Sequence, residues 1–125
     1  MIEVLLIGAN DSLLSTLSGL LSEKEGVVVM KTDSGKVALE KVKKDSLKLV
    51  IIDEKVEAET GFKFAETIIA ANPMMNLVIV SDLAPEEFHE ASEGLGVLTQ
   101  LPTKPSAEDV DNLITQLRKI LSMFP

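Results

Sequence analysis

Three groups able to do chemistry stand just behind apolar runs of this chain. Leu47-Lys48-Leu49-Val50-Ile51-Ile52 ends on Asp53, Leu77-Val78-Ile79-Val80 ends on Ser81, and Val97 to Leu101 is followed by Pro102-Thr103-Lys104. Short runs rich in β-branched residues read as strands covered on both faces, as in the middle of a parallel sheet. Residues that follow such strands gather at the carboxyl edge of the sheet, where open α/β folds bind their ligands. A carboxylate, a hydroxyl and an ammonium converging there could handle a phosphoryl group. The carboxylate would accept it, and the hydroxyl and ammonium would bind its oxygens. A plainer reading stands beside this one. Asp53 could be a strand-ending carboxylate paired with Lys104 or Lys55, Ser81-Asp82 a helix-capping pair, and Lys104 an ordinary exposed lysine between two prolines.

The elements that must position these groups alternate along the chain. Ile2 to Ile7 reads as a first strand, ended by Gly8. Leu13, Leu14, Leu17, Leu20 and Leu21 form an amphipathic stripe over residues 12–22, with Asn10 or Asp11 as its cap. Val27 to Met30 is a second strand, Asp33-Ser34-Gly35 a turn and cap, and a short helix to about Lys44 turns Val37, Ala38, Leu39 and Val42 inward. The central strand to Asp53 follows. Residues 54–60 read as a polar, acidic loop in which Glu54, Glu57 and Glu59 are solvated. Thr60-Gly61 opens a helix with Phe62, Ala65, Ile68 and Ile69, which Asn72-Pro73 ends. After the strand at Leu77, Pro85 suits the first turn of a helix that holds Phe88, Ala91 and a solvated His89, broken by Gly94 and Gly96. Residues 97–101 form a weak fifth strand. Ser106 starts a last helix with Val110, Leu113, Ile114, Leu117, Ile120 and Leu121. Five βα units with short connections predict an α/β fold, a parallel sheet wound with helices on both faces.

Composition narrows the classes. The 125 residues suit one domain, taken here as 1–125, and its core is aliphatic, with four Phe and no Trp or Tyr. Without Cys there is no disulfide framework and no thiolate metal site, and with one His there is no His-rich cluster. The start lacks a signal-peptide pattern and no apolar run is long enough to cross a bilayer, so a cytoplasmic protein without membrane contact is expected. A net charge of −8 disfavours nucleic acid and fits protein or cationic partners. The terminal Ser122-Met123-Phe124-Pro125, with no linker, suits either an isolated domain or part of a longer regulator.

From Val4 to Leu121 the chain resembles the receiver domain of bacterial two-component response regulators. The resemblance rests on Leu49-Val50-Ile51-Ile52-Asp53, on Gly61 eight residues later, on Val80-Ser81, and on Thr103-Lys104-Pro105. It implies the (βα)5 flavodoxin-like architecture with strand order 2-1-3-4-5. It also implies that Asp53 is the phosphoacceptor, with Ser81 and Lys104 contacting the phosphate. The implied partner is a histidine kinase or another signalling protein. The implied contact surface for an output domain or a homodimer is the fourth helix and fifth strand, flanked by Leu83, Leu95 and Leu98.

The departures from that family bear on mechanism. Receivers place two acidic residues after the first strand to hold Mg²⁺, and in register those positions are Gly8 and Ala9. Magnesium wants a hard oxygen site with carboxylates, so a site left with Asp53 is expected to bind it weakly. The usual Met-Pro-Gly turn after the acceptor is Val56-Glu57-Ala58, and the aromatic that rotates on activation falls at Leu101. Lys55 and Leu83, two residues past Asp53 and Ser81, are positions that modulate the site, and Lys55 could replace part of the missing cation charge. The expectation is a non-enzymatic pseudo-receiver in a bacterial or archaeal pathway, acting through protein contacts, with at most slow self-phosphorylation and dephosphorylation at Asp53. A conventional Mg²⁺-dependent receiver is the nearest alternative. A flavodoxin-like small-molecule binder is another, although Gly8 to Ser12 is short and acidic for a phosphate loop. A stand-alone hydrolase lacks a nucleophile–base pair.

Overall fold

The computed structural model describes residues 1–123. Phe124 and Pro125, expected to close the last helical stretch, lie outside the described residues. Seven strands and five helices follow in the order β1 (Ile2–Ile7), α1 (Asp11–Ser22), β2 (Val27–Thr32), α2 (Gly35–Lys41), β3 (Leu47–Ile52), β4 (Lys55–Val56), β5 (Glu59–Thr60), α3 (Gly61–Ala71), β6 (Leu77–Val80), α4 (Pro85–Ala91), β7 (Val97–Leu101) and α5 (Ala107–Met123). Five of the strands make one parallel sheet in the order β2-β1-β3-β6-β7. That is the expected order 2-1-3-4-5 of the main strands. The other two pair antiparallel as a small hairpin, Lys55 with Thr60 and Val56 with Glu59.

Alternation along each central strand divides the core in two, because successive side chains point to opposite faces. Leu5, Ile7, Val50, Ile52, Leu77 and Ile79 face α2, α3 and α4, where Ala38, Val42, Phe64, Ala65, Ile68 and Phe88 meet them. Val4, Leu6, Leu49, Ile51, Val78 and Val80 face α1 and α5, against Leu13, Leu17, Leu21, Val110, Leu113 and Leu117. Fully burying each such aliphatic side chain is worth roughly 2 kcal/mol, so the sheet rather than any single helix fixes the strand ends. Those ends line up, with Ile7 beside Ile52, Ile52 beside Ile79 and Val80 beside Leu101. Asn10 caps α1 by accepting a hydrogen bond from Leu13 N–H. Among the described residues no helix is long and apolar enough to cross a membrane.

Local expectations needed revision in four places. The stretch 54–60 is not an irregular loop but the β4–β5 hairpin with its turn. Helix α2 stops at Lys41, short of Lys44, and Val37 on it is exposed rather than turned inward. Ala91, placed inward on α4, is exposed, and only Phe88 of that helix is buried, its ring tilted against Phe62 of α3. Leu95, counted with the flank of an interface, is buried.

Candidate functional site

Asp53 follows the last residue of β3 and stays in line with it, its N–H donating to Ile7 C=O at 2.9 Å. The side chain is 5% exposed. A carboxylate taken that far from water must find donors or lose several kcal/mol of solvation. Two main-chain N–H groups provide them. Asn10 N–H donates to Oδ2 at 3.2 Å and Glu54 N–H to Oδ1 at 2.7 Å. Among the described residues Asp53 forms no ion pair with Lys104 or Lys55. The paired-lysine reading of Asp53 is therefore replaced by a carboxylate held between two backbone donors.

Two glycines make that fit. A Cβ built on Gly8 would overlap Asp53 Cβ and approach Oδ2 to 2.8 Å, and one built on Gly61 would overlap the Asp53 carbonyl oxygen. Position 8, expected to matter only for the acid it does not carry, is also the space that the Asp53 side chain fills. Ala9 is exposed and carries no donor, and no cluster of three or more His, Cys, Asp or Glu suited to a metal ion occurs among the described residues.

On the opposite flank the side chains themselves do the joining. Ser81 is 5% exposed, its N–H donates to Leu101 C=O at 2.9 Å, and its hydroxyl oxygen accepts from Leu83 N–H at 3.1 Å. Gln100 Nε2 donates to the carbonyls of Ser81 and Leu83 at 2.7 and 2.9 Å. Asp82 does not cap α4, as the capping-pair reading had it; Ala84 holds that position without a side-chain bond. Its carboxylate instead accepts from Thr103 N–H at 3.0 Å and from the Thr103 hydroxyl at 2.5 Å. The Thr103 hydroxyl and then its N–H, aided by the nearby Lys104 charge, hold the Asp82 carboxyl below its ordinary range despite a small opposing effect of burial. Lys104 is exposed and, with Asn10, lines a groove of about 400 Å³ that also includes Thr16 and Pro105. Lys55 is exposed on β4, Leu83 is 39% exposed, and Leu101 is buried under α5 at the end of β7.

The roles of Asp82 and Gln100 are not visible in the sequence, although Asp82 and Thr103 follow neighbouring strands at equal offsets. Glu57 is exposed, as expected of a solvated residue, and its carboxylate also accepts from Gly35 N–H at 2.5 Å, a partner that no local signal announces.

The arrangement thus gathers a buried carboxylate, a hydroxyl and an exposed ammonium along one sheet edge. Comparison with known proteins gives the same outline. The model of the response regulator receiver domain family matches residues 4–118. A response regulator receiver domain from Clostridium thermocellum superposes with a TM-score of 0.84 at 19% identity, over 100% of both chains. A CheY-like receiver domain from Methanospirillum hungatei JF-1 gives 0.79 at 18% identity, over 95% of each chain. The signal receiver domain of an HD domain-containing protein from Pseudomonas fluorescens Pf-5 gives 0.80 at 17%, over 98% of this chain and 90% of that one. No curated protein matches the chain.

Proposed function

We propose that this chain, which belongs to the response regulator receiver domains of two-component signalling, is an atypical member that works through protein contacts and keeps Asp53 as a slow phosphoacceptor. One observation carries the reading: both oxygens of Asp53 rest on main-chain N–H groups, where a metal-dependent site would turn one of them to the ion. The acidic pair that would complete a magnesium site is Gly8 and Ala9, and Gly8 has no room for a side chain. These residues do not fit Mg²⁺, and weak binding at most is expected.

The chemistry left to the chain is plain. An Asp53 carboxylate oxygen attacks the phosphorus of a phosphoramidate-type donor, the P–N bond breaks, and the amine leaves with its proton. Ser81 and Lys104 are the groups that would hold the phosphoryl oxygens, as a hydroxyl and a point charge respectively. The Ser81 oxygen accepts from Leu83 N–H, which orients the hydroxyl and leaves its own O–H to donate to a phosphoryl oxygen. Lys55, Leu83 and Leu101 would modulate the site, Lys55 through its charge and Leu101 as a buried aliphatic in place of a rotating aromatic. Partners would be a histidine kinase or related signalling protein, and an output domain or second copy against α4 and β7, where Leu83 and Leu98 are accessible. A solved relative described as the receiver of an HD domain-containing protein supports an output partner of this general kind.

The test is incubation with phosphoramidate, with and without Mg²⁺, read by intact mass. Slow, incomplete labelling at Asp53 that Mg²⁺ leaves unchanged is the expected result. Rapid stoichiometric labelling that requires Mg²⁺ would sink the atypical reading and return the chain to the conventional class, which the intact Ser81 and Lys104 flank would then serve.

A further inference from the structure

Glu57 sits at the turn of the β4–β5 hairpin with φ of 55°, the one non-glycine residue in the left-handed region among the described residues. That conformation favours glycine or asparagine, and a glutamate there calls for a compensating contact. The contact is distant in sequence. Its carboxylate reaches Gly35 N–H, 22 positions away, at the first residue of α2. Glu57 itself is exposed, and the glycine at position 35 leaves room for its carboxylate to approach, since a Cβ there would come within 2.9 Å of Glu57 Oε1 and 3.0 Å of Phe64 Cε1. Val56, one residue earlier, is buried in the same cluster as Ala38 of α2 and Phe64 of α3.

The other end of this short lever is the acceptor. Glu54 N–H donates to Asp53 Oδ1, and Gly61 N–H closes the foot of the hairpin on Glu54 C=O at 2.8 Å. Between Glu54 and Glu57 lie only the two paired residues of β4. We propose that Glu57 is a strap: by binding α2 at Gly35 it fixes the hairpin and thereby holds Glu54 N–H on the Asp53 carboxylate, coupling Asp53 to the start of α2. Coupling of this kind is reciprocal, so loosening either end loosens the other.

The experiment is residue-resolved amide hydrogen exchange on the whole chain, following Gly35 and Glu54, with Leu5 and Ile51 as reporters of global opening. Three substitutions and one reciprocal change are compared. In Glu57→Gly, which accepts the backbone conformation but has no carboxylate, both amides should exchange about tenfold faster, the scale of one lost hydrogen bond to a charged group. Glu57→Ala should do the same. Glu57→Gln, which keeps an acceptor oxygen, should restore most of the protection. Asp53→Ala should accelerate Gly35, which it does not touch. If Glu57→Gly accelerates Gly35 while Glu54 keeps its wild-type rate, or if Gly35 ignores Asp53→Ala, Glu57 is only a local tie on α2 and the strap is refuted. These readouts need no phosphoryl transfer, so their failure is separate from a failure of the acceptor role.

Discussion

The two flanks of Asp53 are built by different means. Toward β1 the site is closed by backbone: Asn10 N–H on Oδ2 and a glycine at position 8 whose missing side chain leaves room for the carboxylate. Toward β6 and β7 it is built from side chains, with Ser81, Asp82, Gln100 and Thr103 fastening one turn to the next and Lys104 exposed at the rim. Backbone donors arrive with the fold and cannot be exchanged by a point substitution. Side-chain groups can be lost one at a time. On the β1 flank, then, the space and the hydrogen bonds around Asp53 are filled by the chain itself.

Four substitutions sharpen or break this contrast. The largest effect is expected for Gly8→Asp, which would place an acid beside Asp53 but drive its Cβ into the Asp53 side chain. Overpacking and a second buried carboxylate should cost about 3 kcal/mol in urea unfolding, without a gain in Mg²⁺ binding. Asp53→Ala comes next. It removes the acceptor of Asn10 N–H and Glu54 N–H, and because both residues are exposed and water can reach them it should cost about 1 kcal/mol.

The third concerns acid. Asp82 has a folded pKa below its unfolded value, chiefly through the Thr103 hydroxyl. A carboxyl shifted down stabilises the fold above its unfolded pKa of about 4, and that contribution is lost as pH falls through the lower folded value. Thr103→Val should therefore be less stable than wild type near neutral pH, and the two should converge in acid, as thermal melts between about pH 6 and pH 3 would show. A gap that persists or widens at the acid end would mean that packing of Thr103, not the Asp82 charge, is what matters. Ala9→Asp is the smallest change, because position 9 is exposed; its unfolding free energy from urea titration should stay within about 0.5 kcal/mol of wild type. A large loss there would show that position 9 is as closed as position 8.

Much of this was legible in the sequence, for physical reasons. Strands such as Leu49 to Ile52 and Leu77 to Val80 are short, wholly apolar and β-branched, and burial on both faces leaves them few alternatives. Once their order is set, the positions of Asp53, Ser81 and Lys104 at one edge follow. The hairpin was less visible, since Lys55-Val56 and Glu59-Thr60 are too brief for periodicity to register. The Glu57–Gly35, Asp82–Thr103 and Gly8–Asp53 relations joined residues far apart in the chain, and nothing local in a glutamate or a glycine announces such a partner.

The most direct test of the closed flank is a Mg²⁺ titration of the wild-type chain, following the amide resonances of Asn10 and Glu54. With both N–H groups held on Asp53, neither resonance should move in a saturable way as Mg²⁺ is raised. Saturable shifts of both amides at low Mg²⁺ would show Asp53 leaving its backbone donors for the ion, and would contradict the account.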